Sequence, residues 1–121
     1  MKNKKIREIF KRKNKNPIVC LTAYSKTIAE ILDKYCDIVL VGDSLGMVLY
    51  GMKSTREVTL DMIINHARSV KKGISKSVLV IDMPYQTYKN DKEAYKNAKK
   101  IIKSTKCDAL KLEGGKKITN Q

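Results

Sequence analysis

Residues 37–43 read Asp-Ile-Val-Leu-Val-Gly-Asp, a short apolar run that leads into a carboxylate. The arrangement recurs in residues 77–82, Ser-Val-Leu-Val-Ile-Asp, and in residues 109–113, Ala-Leu-Lys-Leu-Glu. Such runs of β-branched and Leu residues are typical of buried parallel strands, and parallel α/β folds place their chemistry at the carboxyl ends of strands. We therefore expect the three closing acids at one edge of a parallel sheet. These acids are Asp43, Asp82 and Glu113.

The spacing of the three acids predicts part of an α/β barrel. Asp82 lies 39 residues after Asp43, and Glu113 lies 31 residues after Asp82, which matches one strand and one crossover helix per unit. A (β/α)8 barrel needs about 250 residues and eight units. We therefore expect residues 1–121 to be the N-terminal half of one (β/α)8 TIM-barrel domain, with about the first four βα units present.

Hydrophobic periodicity and turn residues predict the individual elements. Strands are expected over 18–22, 38–41, 78–81 and 109–112. Helices are expected over 4–13, 25–34 and 59–73, and from 90 onward with Ala94, Ala98, Ile101 and Ile102 facing inward. Ser25 and Thr59 are the expected N-caps, and Gly73 is the expected stop of its helix. Residues 42–58, which contain Gly42, Gly46 and Gly51, are expected to form a long functional loop.

The formal net charge of +14 raises nucleic acids and anionic membranes as possible partners. However, 22 of the 26 basic residues are Lys, and they are spread along the whole chain. Only four Arg are present for bidentate phosphate or guanine contacts, and one Phe and no Trp for base stacking. No recognition motif accompanies the charge. We therefore expect a solvated Lys-rich surface, with no nucleic-acid partner and no membrane partner.

The three cysteines indicate a reducing compartment. Cys20, Cys36 and Cys107 are odd in number, lie in or beside apolar runs and lack C-x-x-C spacing, so buried reduced thiols are expected. Residues 1–15 are basic but have no continuous apolar core, which argues against a secretory signal. No run approaches the roughly 20 apolar residues of a membrane span. These features favour a cytoplasmic location.

The strand-end acids are candidate magnesium ligands. Carboxylates that are held close together share protons or bind a cation, and oxygen ligands with room for water and substrate suit magnesium. The alternative is that each acid caps the turn or helix that follows it. Lys111 lies two residues before Glu113 and so on the same strand face. It needs an anionic partner there, either a metal-site carboxylate or a substrate carboxylate, unless it reaches solvent at the strand edge.

Other polar residues near the strand ends have two interpretations each. Ser44 either binds a substrate oxygen or forms part of a turn. Gly42 and Gly46 fit neither a dinucleotide fingerprint nor a P-loop. His66 is expected on the surface of a helix, and the alternative is a catalytic base. Four tyrosines near predicted loops either line a pocket or pack against neighbours: Tyr24, Tyr50, Tyr85 and Tyr88.

Five motifs follow one another along the chain. They are Leu-Thr-Ala-Tyr at 21–24, Val-Gly-Asp-Ser-Leu-Gly-Met at 41–47, Ser-Thr at 54–55 with Val-Thr at 58–59, Asp-Met-Pro at 82–84 and Lys-Leu-Glu-Gly-Gly at 111–115. The heptapeptide is highly specific, whereas the others are weak singly. In this order and approximate spacing, the set resembles the ketopantoate (3-methyl-2-oxobutanoate) hydroxymethyltransferase family over essentially the whole chain.

The resemblance implies a (β/α)8 barrel, a metal site and an oxoacid site. The implied Mg²⁺ ligands are Asp43, Asp82 and Glu113, and the implied oxoacid-binding residues are Asp43, Ser44, Asp82 and Lys111. The implied reaction transfers a hydroxymethyl group from 5,10-methylenetetrahydrofolate to 3-methyl-2-oxobutanoate. It yields 2-dehydropantoate for pantothenate biosynthesis, and the family forms homo-oligomers.

The chain departs from the family pattern at two points. Ser25 stands where the family usually has Asp. The family's general-base glutamate lies beyond the position of Gln121, so residues 1–121 alone are expected to be inactive. Two other functions stay open at this point. One is a different magnesium-dependent, enolate-forming barrel of the isocitrate lyase and phosphoenolpyruvate mutase type, and the other is a non-catalytic basic fragment.

Overall fold

The four predicted strands form one parallel sheet in a computed structural model that describes residues 3–121. The strands are β1 (Cys20–Thr22), β2 (Ile38–Val41), β3 (Val78–Asp82) and β4 (Ala109–Lys111). Their order in the sheet equals their order in the sequence. This arrangement confirms the α/β class and the parallel sheet. Closure into a (β/α)8 barrel and the half-domain assignment of residues 1–121 stay predictions.

Five helices accompany the sheet within residues 3–121. They are α1 (Lys4–Arg12), α2 (Lys26–Leu32), α3 (Leu45–Tyr50), α4 (Leu60–Lys71) and α5 (Asp91–Thr105), with 3₁₀ turns at Thr55–Glu57 and Gly115–Ile118. The N-caps of α4 and α5 follow from local side-chain chemistry. Thr59 accepts a hydrogen bond from the Met62 N–H, and Asn90 accepts one from the Glu93 N–H.

Residues 42–58 do not form the long loop that we expected, because they contain α3 and a 3₁₀ turn. Leu45 starts α3 and is fully buried. Gly46 lies inside this helix, and a glycine is needed there because a Cβ would come within 2.5 Å of Val58 Cγ2. Gly51 ends α3 with a left-handed φ of 65°. Two glycines that looked like loop residues are therefore a packing contact and a helix C-cap.

Two further expectations about helices, for Ser25 and Ile102, were wrong in detail, whereas the position of Gly73 was confirmed. Ser25 precedes α2, but its hydroxyl makes no capping hydrogen bond. Ile102 is 46% exposed on α5 rather than inward-facing. Gly73 follows the end of α4, as expected. A glycine is needed there because a Cβ would lie 2.5 Å from the Lys26 carbonyl oxygen of α2. The close packing of α2 against α4 therefore requires a glycine at this position.

The sheet has one covered face and one partly open face. Val39, Leu79 and Ile81 are fully buried in the core, which also contains side chains of α2, α4 and α5. Leu40 and Val80 point to the opposite face and are only half-buried. Alternation along a strand puts the two sets on opposite faces. The helices therefore leave open the face that would form the interior of a barrel.

Aspartates hold the amino-terminal edge of the sheet. Asp33 accepts hydrogen bonds from the Ser75 hydroxyl and from the N–H groups of residues 75, 76 and 77. Burial alone would raise the pKa of Asp33, but these hydrogen bonds lower it far below its ordinary value. Asp37 accepts from the Val19 N–H, and Asp108 accepts from the Leu79 N–H. These carboxylates satisfy backbone donors where the strands begin.

The cysteines are free, as expected, but they are not all buried. Cys36 is buried and Cys107 is partly buried, whereas Cys20 is exposed. The expectation for Cys20 was wrong because β1 is an edge strand of this sheet. Within residues 3–121, no helix combines the length and the apolar character needed to cross a bilayer.

We predict that Asp33→Asn lowers the free energy of unfolding by about 2–3 kcal/mol, because an amide donor would face backbone N–H groups. The pKa of Asp33 is lower in the folded state, so its contribution is complete above the unfolded pKa of about 4 and is lost as pH falls below it. Urea denaturation should show the difference between wild type and variant narrowing in acid. Asp61→Asn, at an exposed ion pair with Lys100, should cost less than about 1 kcal/mol. Equal losses would contradict the role of Asp33.

We predict that residues 1–121 self-associate when produced as an isolated polypeptide. All three residues of the edge strand β1 are exposed, and Leu21 is 49% exposed. An apolar edge strand with unpaired backbone groups favours pairing with another chain. Sedimentation velocity should show a mass that rises with concentration and falls in Leu21→Lys. Ile102→Lys on α5 should have a smaller effect, and an equal effect would show that the β1 edge is not responsible.

Candidate active site

The parallel register brings the three predicted acids to one edge of the sheet. Asp82 is the last residue of β3, Asp43 lies two residues after β2, and Glu113 lies two residues after β4. The backbone N–H of Asp43 donates a hydrogen bond to Asp82 Oδ2 at 3.1 Å. All three acids line one cleft of about 190 Å³ together with Lys111. The expected convergence of the three acids is confirmed.

Lys111 has the anionic partners that its position requires. Asp82 and Lys111 are paired in the register of β3 and β4. The Lys111 ammonium lies 2.8 Å from Asp82 Oδ1 and 2.7 Å from Glu113 Oε1. Burial would lower the pKa of Lys111, but the hydrogen bonds to these two carboxylates raise it above its ordinary value. Lys111 is therefore charged at neutral pH.

Asp43 lies in an environment that disfavours its negative charge. Burial raises its pKa first, and the neighbouring carboxylates of Asp82 and Glu113 raise it further. The Lys111 ammonium lowers the pKa, but less than the other contributions raise it. The cleft therefore holds more negative charge than its own lysine neutralises.

The turn after β2 places Ser44 beside the acids. Gly42 has little free space, because a Cβ there would lie 3.0 Å from Ser44 Oγ and 3.4 Å from Asp82 Oδ2. Ser44 is the residue before α3, but its hydroxyl does not cap that helix. Ser44 Oγ instead lies 2.7 Å from the Tyr24 hydroxyl. The Ser44 side chain is therefore held directly after the cleft-lining Asp43, but Ser44 itself is not among the residues that line the cleft.

The cleft also contains residues that the sequence reasoning did not single out as site residues. These residues are Thr55, Arg56 and Met83. The cleft is also lined by Tyr85 and Tyr88, which we had considered as pocket residues. The Arg56 guanidinium carbon lies 4.8 Å from the centre of the Tyr85 ring. Thr55 and Arg56 belong to a 3₁₀ turn that begins with a capping box between Ser54 and Glu57. The Ser-x-x-Glu pattern is readable from sequence and would have located this turn.

His66 is not the simple helix-surface residue that we expected. Its ring is partly buried on α4, and Nδ1 lies 2.8 Å from the Tyr24 carbonyl oxygen. Nε2 lies 2.9 Å from the Tyr50 hydroxyl. Of the four tyrosines that we considered, Tyr85 and Tyr88 line the cleft, whereas Tyr24 and Tyr50 make hydrogen bonds beside it. No spacing in the sequence indicated these contacts.

The donor set at this edge fits a magnesium ion in chemistry and charge. Three carboxylates face one cleft, and their mutual repulsion contributes to the raised pKa of Asp43. Hard oxygen donors of this kind suit Mg²⁺. In the part of the chain that the structure describes, no three His, Cys, Asp or Glu side chains already form a metal-binding group. The Lys111 ammonium instead bridges Asp82 and Glu113.

Comparison with known proteins shows the family to which the chain belongs. The family model described as ketopantoate hydroxymethyltransferase matches residues 3–121. The chain belongs to the ketopantoate hydroxymethyltransferase family. The match covers every strand and helix described above, including the cleft, and it confirms the resemblance that the sequence motifs indicated.

Named members of the ketopantoate hydroxymethyltransferase family are similar in sequence. The 3-methyl-2-oxobutanoate hydroxymethyltransferase of Pelagibacter ubique is 64% identical over 116 residues, which are 96% of this chain and 45% of that protein. The proteins of the same name from Rhizobium etli and Anaplasma marginale are 54% and 52% identical, over 88% and 91% of this chain and 39% and 40% of their own length. The chain therefore spans less than half the length of these relatives.

We predict that Asp82→Asn lowers the pKa of Asp43, because the variant removes the nearest like charge while burial remains. Glu113→Gln should lower it less, since that carboxylate contributes less to the shift. Titration of the Asp43 carboxyl carbon by NMR measures both effects. Asp91→Asn, at the exposed start of α5, serves as the control and should leave the Asp43 titration unchanged. An unchanged or raised pKa in Asp82→Asn would refute the proposed crowding of charges.

Proposed function

We propose that this chain carries the metal- and oxoacid-binding residues of a magnesium-dependent hydroxymethyltransferase. The proposed reaction transfers a hydroxymethyl group from 5,10-methylenetetrahydrofolate to 3-methyl-2-oxobutanoate and gives 2-dehydropantoate, as a step of pantothenate biosynthesis. The observation that supports it is the cleft in which three carboxylates and one lysine meet, in a chain of this family. A homo-oligomeric assembly is part of the proposal.

Asp43, Asp82 and Glu113 are the residues that we assign to Mg²⁺. The cleft lining carries these three carboxylates against Lys111 and Arg56, which leaves a formal charge of −1 before any ligand binds. The side chain of Glu113 is 71% exposed, so it can rotate away from Lys111 at little cost. When bound, the ion would act as a Lewis acid toward the keto oxygen and make the neighbouring C3–H more acidic.

Lys111 and Ser44 are the residues that we assign to the oxoacid, beside Asp43 and Asp82. The Lys111 ammonium can exchange its contact with the exposed Glu113 carboxylate for a substrate carboxylate while it keeps its contact with Asp82. Ser44 directly follows the cleft-lining Asp43, and its hydroxyl can donate a hydrogen bond to a substrate oxygen that reaches it. Arg56 places a second positive charge at the cleft, which favours an anionic ligand.

The carboxylates of the cleft are assigned to cations rather than to removal of the substrate proton. Asp82 and Glu113 already bind Lys111, and Asp43 would be neutralised by the Mg²⁺ that we assign to it. A carboxylate that is neutralised by a cation is a weak base. The resemblance to the family assigns the general base to a glutamate after Gln121, and we adopt that assignment as part of the proposal.

The direct test is turnover by the full-length protein. Purified protein should convert 3-methyl-2-oxobutanoate and 5,10-methylenetetrahydrofolate to 2-dehydropantoate, and EDTA should abolish turnover until Mg²⁺ is restored. A panel of other 2-oxoacids, including oxaloacetate and pyruvate, should react poorly. Turnover of another oxoacid in preference to 3-methyl-2-oxobutanoate would instead favour a different enolate-forming enzyme.

We predict that substitutions in the cleft separate metal binding from oxoacid binding. Asp43→Asn and Asp82→Asn should each weaken Mg²⁺ binding by at least about 10-fold, because each removes a charged ligand. Lys111→Met should leave Mg²⁺ binding unchanged or stronger, because it removes a competing cation, while it weakens oxoacid binding. Isothermal titration of each variant measures both affinities.

The control for these titrations is Glu8→Gln, an exposed carboxylate on α1 at the opposite end of the sheet. It should change neither affinity. Retained Mg²⁺ binding in both aspartate variants would remove Asp43 and Asp82 from the metal site. Parallel loss of Mg²⁺ and oxoacid binding in Lys111→Met would contradict the division of roles.

A further inference from the structure

A chain of hydrogen bonds links helix α4 to Ser44, the residue that follows the cleft-lining Asp43. The Tyr50 hydroxyl lies 2.9 Å from His66 Nε2, and His66 Nδ1 lies 2.8 Å from the Tyr24 carbonyl oxygen. The Tyr24 hydroxyl then lies 2.7 Å from Ser44 Oγ. Four residues from three segments of the chain are therefore connected, because Ser44 and Tyr50 lie at the two ends of α3. The proposed function uses Ser44 but leaves the other three residues without a role.

The partners of His66 determine its tautomer. A carbonyl oxygen can only accept a hydrogen bond, so Nδ1 of His66 must donate to the Tyr24 carbonyl. In the neutral imidazole, Nε2 is then an acceptor, and the Tyr50 hydroxyl donates to it. The Tyr50 and His66 rings also meet edge to face, at 5.8 Å between centroids and 89° between planes. Orientation and tautomer of His66 are therefore both defined by its contacts.

Tyr24 transmits this constraint to Ser44. His66 holds the backbone of Tyr24, and the side chain of Tyr24 reaches Ser44 Oγ. Gly42 leaves the space that Ser44 Oγ occupies, since a Cβ there would lie only 3.0 Å away. When the Tyr24 hydroxyl donates to Ser44 Oγ, the Ser44 hydrogen is free to point at an anionic oxygen in the cleft.

We propose that His66 is a positioning residue that, through Tyr24, orients the Ser44 hydroxyl to donate a hydrogen bond to the bound 2-oxoacid. The inference rests on the proposed function in so far as the oxoacid is the ligand of Ser44. His66 itself touches neither the ligand nor the carboxylates that we assign to Mg²⁺. Its effect is therefore confined to oxoacid binding and leaves metal binding untouched.

The test uses two substitutions of His66 in the full-length protein. His66→Leu fills similar space but cannot donate to the Tyr24 carbonyl, and it should weaken 3-methyl-2-oxobutanoate binding about tenfold, the effect of one lost hydrogen bond. His66→Asn provides an amide donor near the Nδ1 position and should restore most of that affinity. The Kd for Mg²⁺ should be unchanged in both variants. Isothermal titration with Mg²⁺ and with the oxoacid measures these affinities.

A double-mutant cycle separates positioning from a general structural role. His66→Leu combined with Ser44→Ala should bind the oxoacid no more weakly than Ser44→Ala alone, because His66 acts only through Ser44. Tyr50→Phe removes only the hydrogen bond between Tyr50 and His66 and keeps the His66 contact with Tyr24. It should weaken binding less than His66→Leu does. The matched control is Asn65→Ala, at the exposed neighbouring position of α4, and it should bind normally.

A measurement without ligand keeps the inference distinct from the proposed function. The Ser44 Cβ resonance of the ligand-free protein should shift in His66→Leu and not in Asn65→Ala. If the wild-type protein does not bind the oxoacid but the Ser44 resonance still shifts in His66→Leu, the proposed function is overturned and the positioning of Ser44 by His66 is retained. An unshifted Ser44 resonance, additive losses in the double variant or no rescue by His66→Asn overturns the positioning role.

Discussion

The parallel register of β2, β3 and β4 is the constraint on which the rest of the molecule depends. Val41 pairs with Ile81, and Asp82 pairs with Lys111, so the residues that follow each strand meet at one edge. A shift of one residue between β3 and β4 would turn Lys111 toward the buried face and separate it from Asp82. The same register aligns the fully buried side chains under the helices. The same strand register therefore both packs the core and assembles the cleft.

Acidic residues serve opposite purposes at the two edges of this sheet. At the amino-terminal edge, hydrogen bonds from N–H and hydroxyl groups surround Asp33 and hold its pKa far below the ordinary value. At the carboxyl-terminal edge, burial and like charges raise the pKa of Asp43. A carboxylate whose charge is stabilised by hydrogen bonds stabilises the fold. A carboxylate whose charge is disfavoured by burial and by like charges favours the binding of a cation. The division agrees with the placement of chemistry at the carboxyl ends of strands in α/β folds.

Local patterns predicted the elements well where one signal dominated. The four strands were predictable because continuous apolar runs are bounded by turn residues, and α4 and α5 were predictable from caps at Thr59 and Asn90. The prediction failed at residues 42–58 because a glycine can mark a loop, a helix C-cap or a close contact. Only the residues that surround the glycine in space distinguish these three cases. Gly46 packs against Val58, which is far enough along the chain that no local pattern connects them.

The sequence by itself determined the α/β class, the strand order along the chain, the three acids with Lys111 and membership of the family, because these properties depend on residue type and on spacing within single segments. Only the tertiary structure decided that Lys111 bridges Asp82 and Glu113, that Arg56 joins the cleft and that His66 contacts Tyr24. Apart from the contact of Lys111 with Glu113, these contacts join segments that are distant in the sequence. Such contacts depend on how helices pack on the sheet, and that packing is a property of the whole core rather than of any one segment.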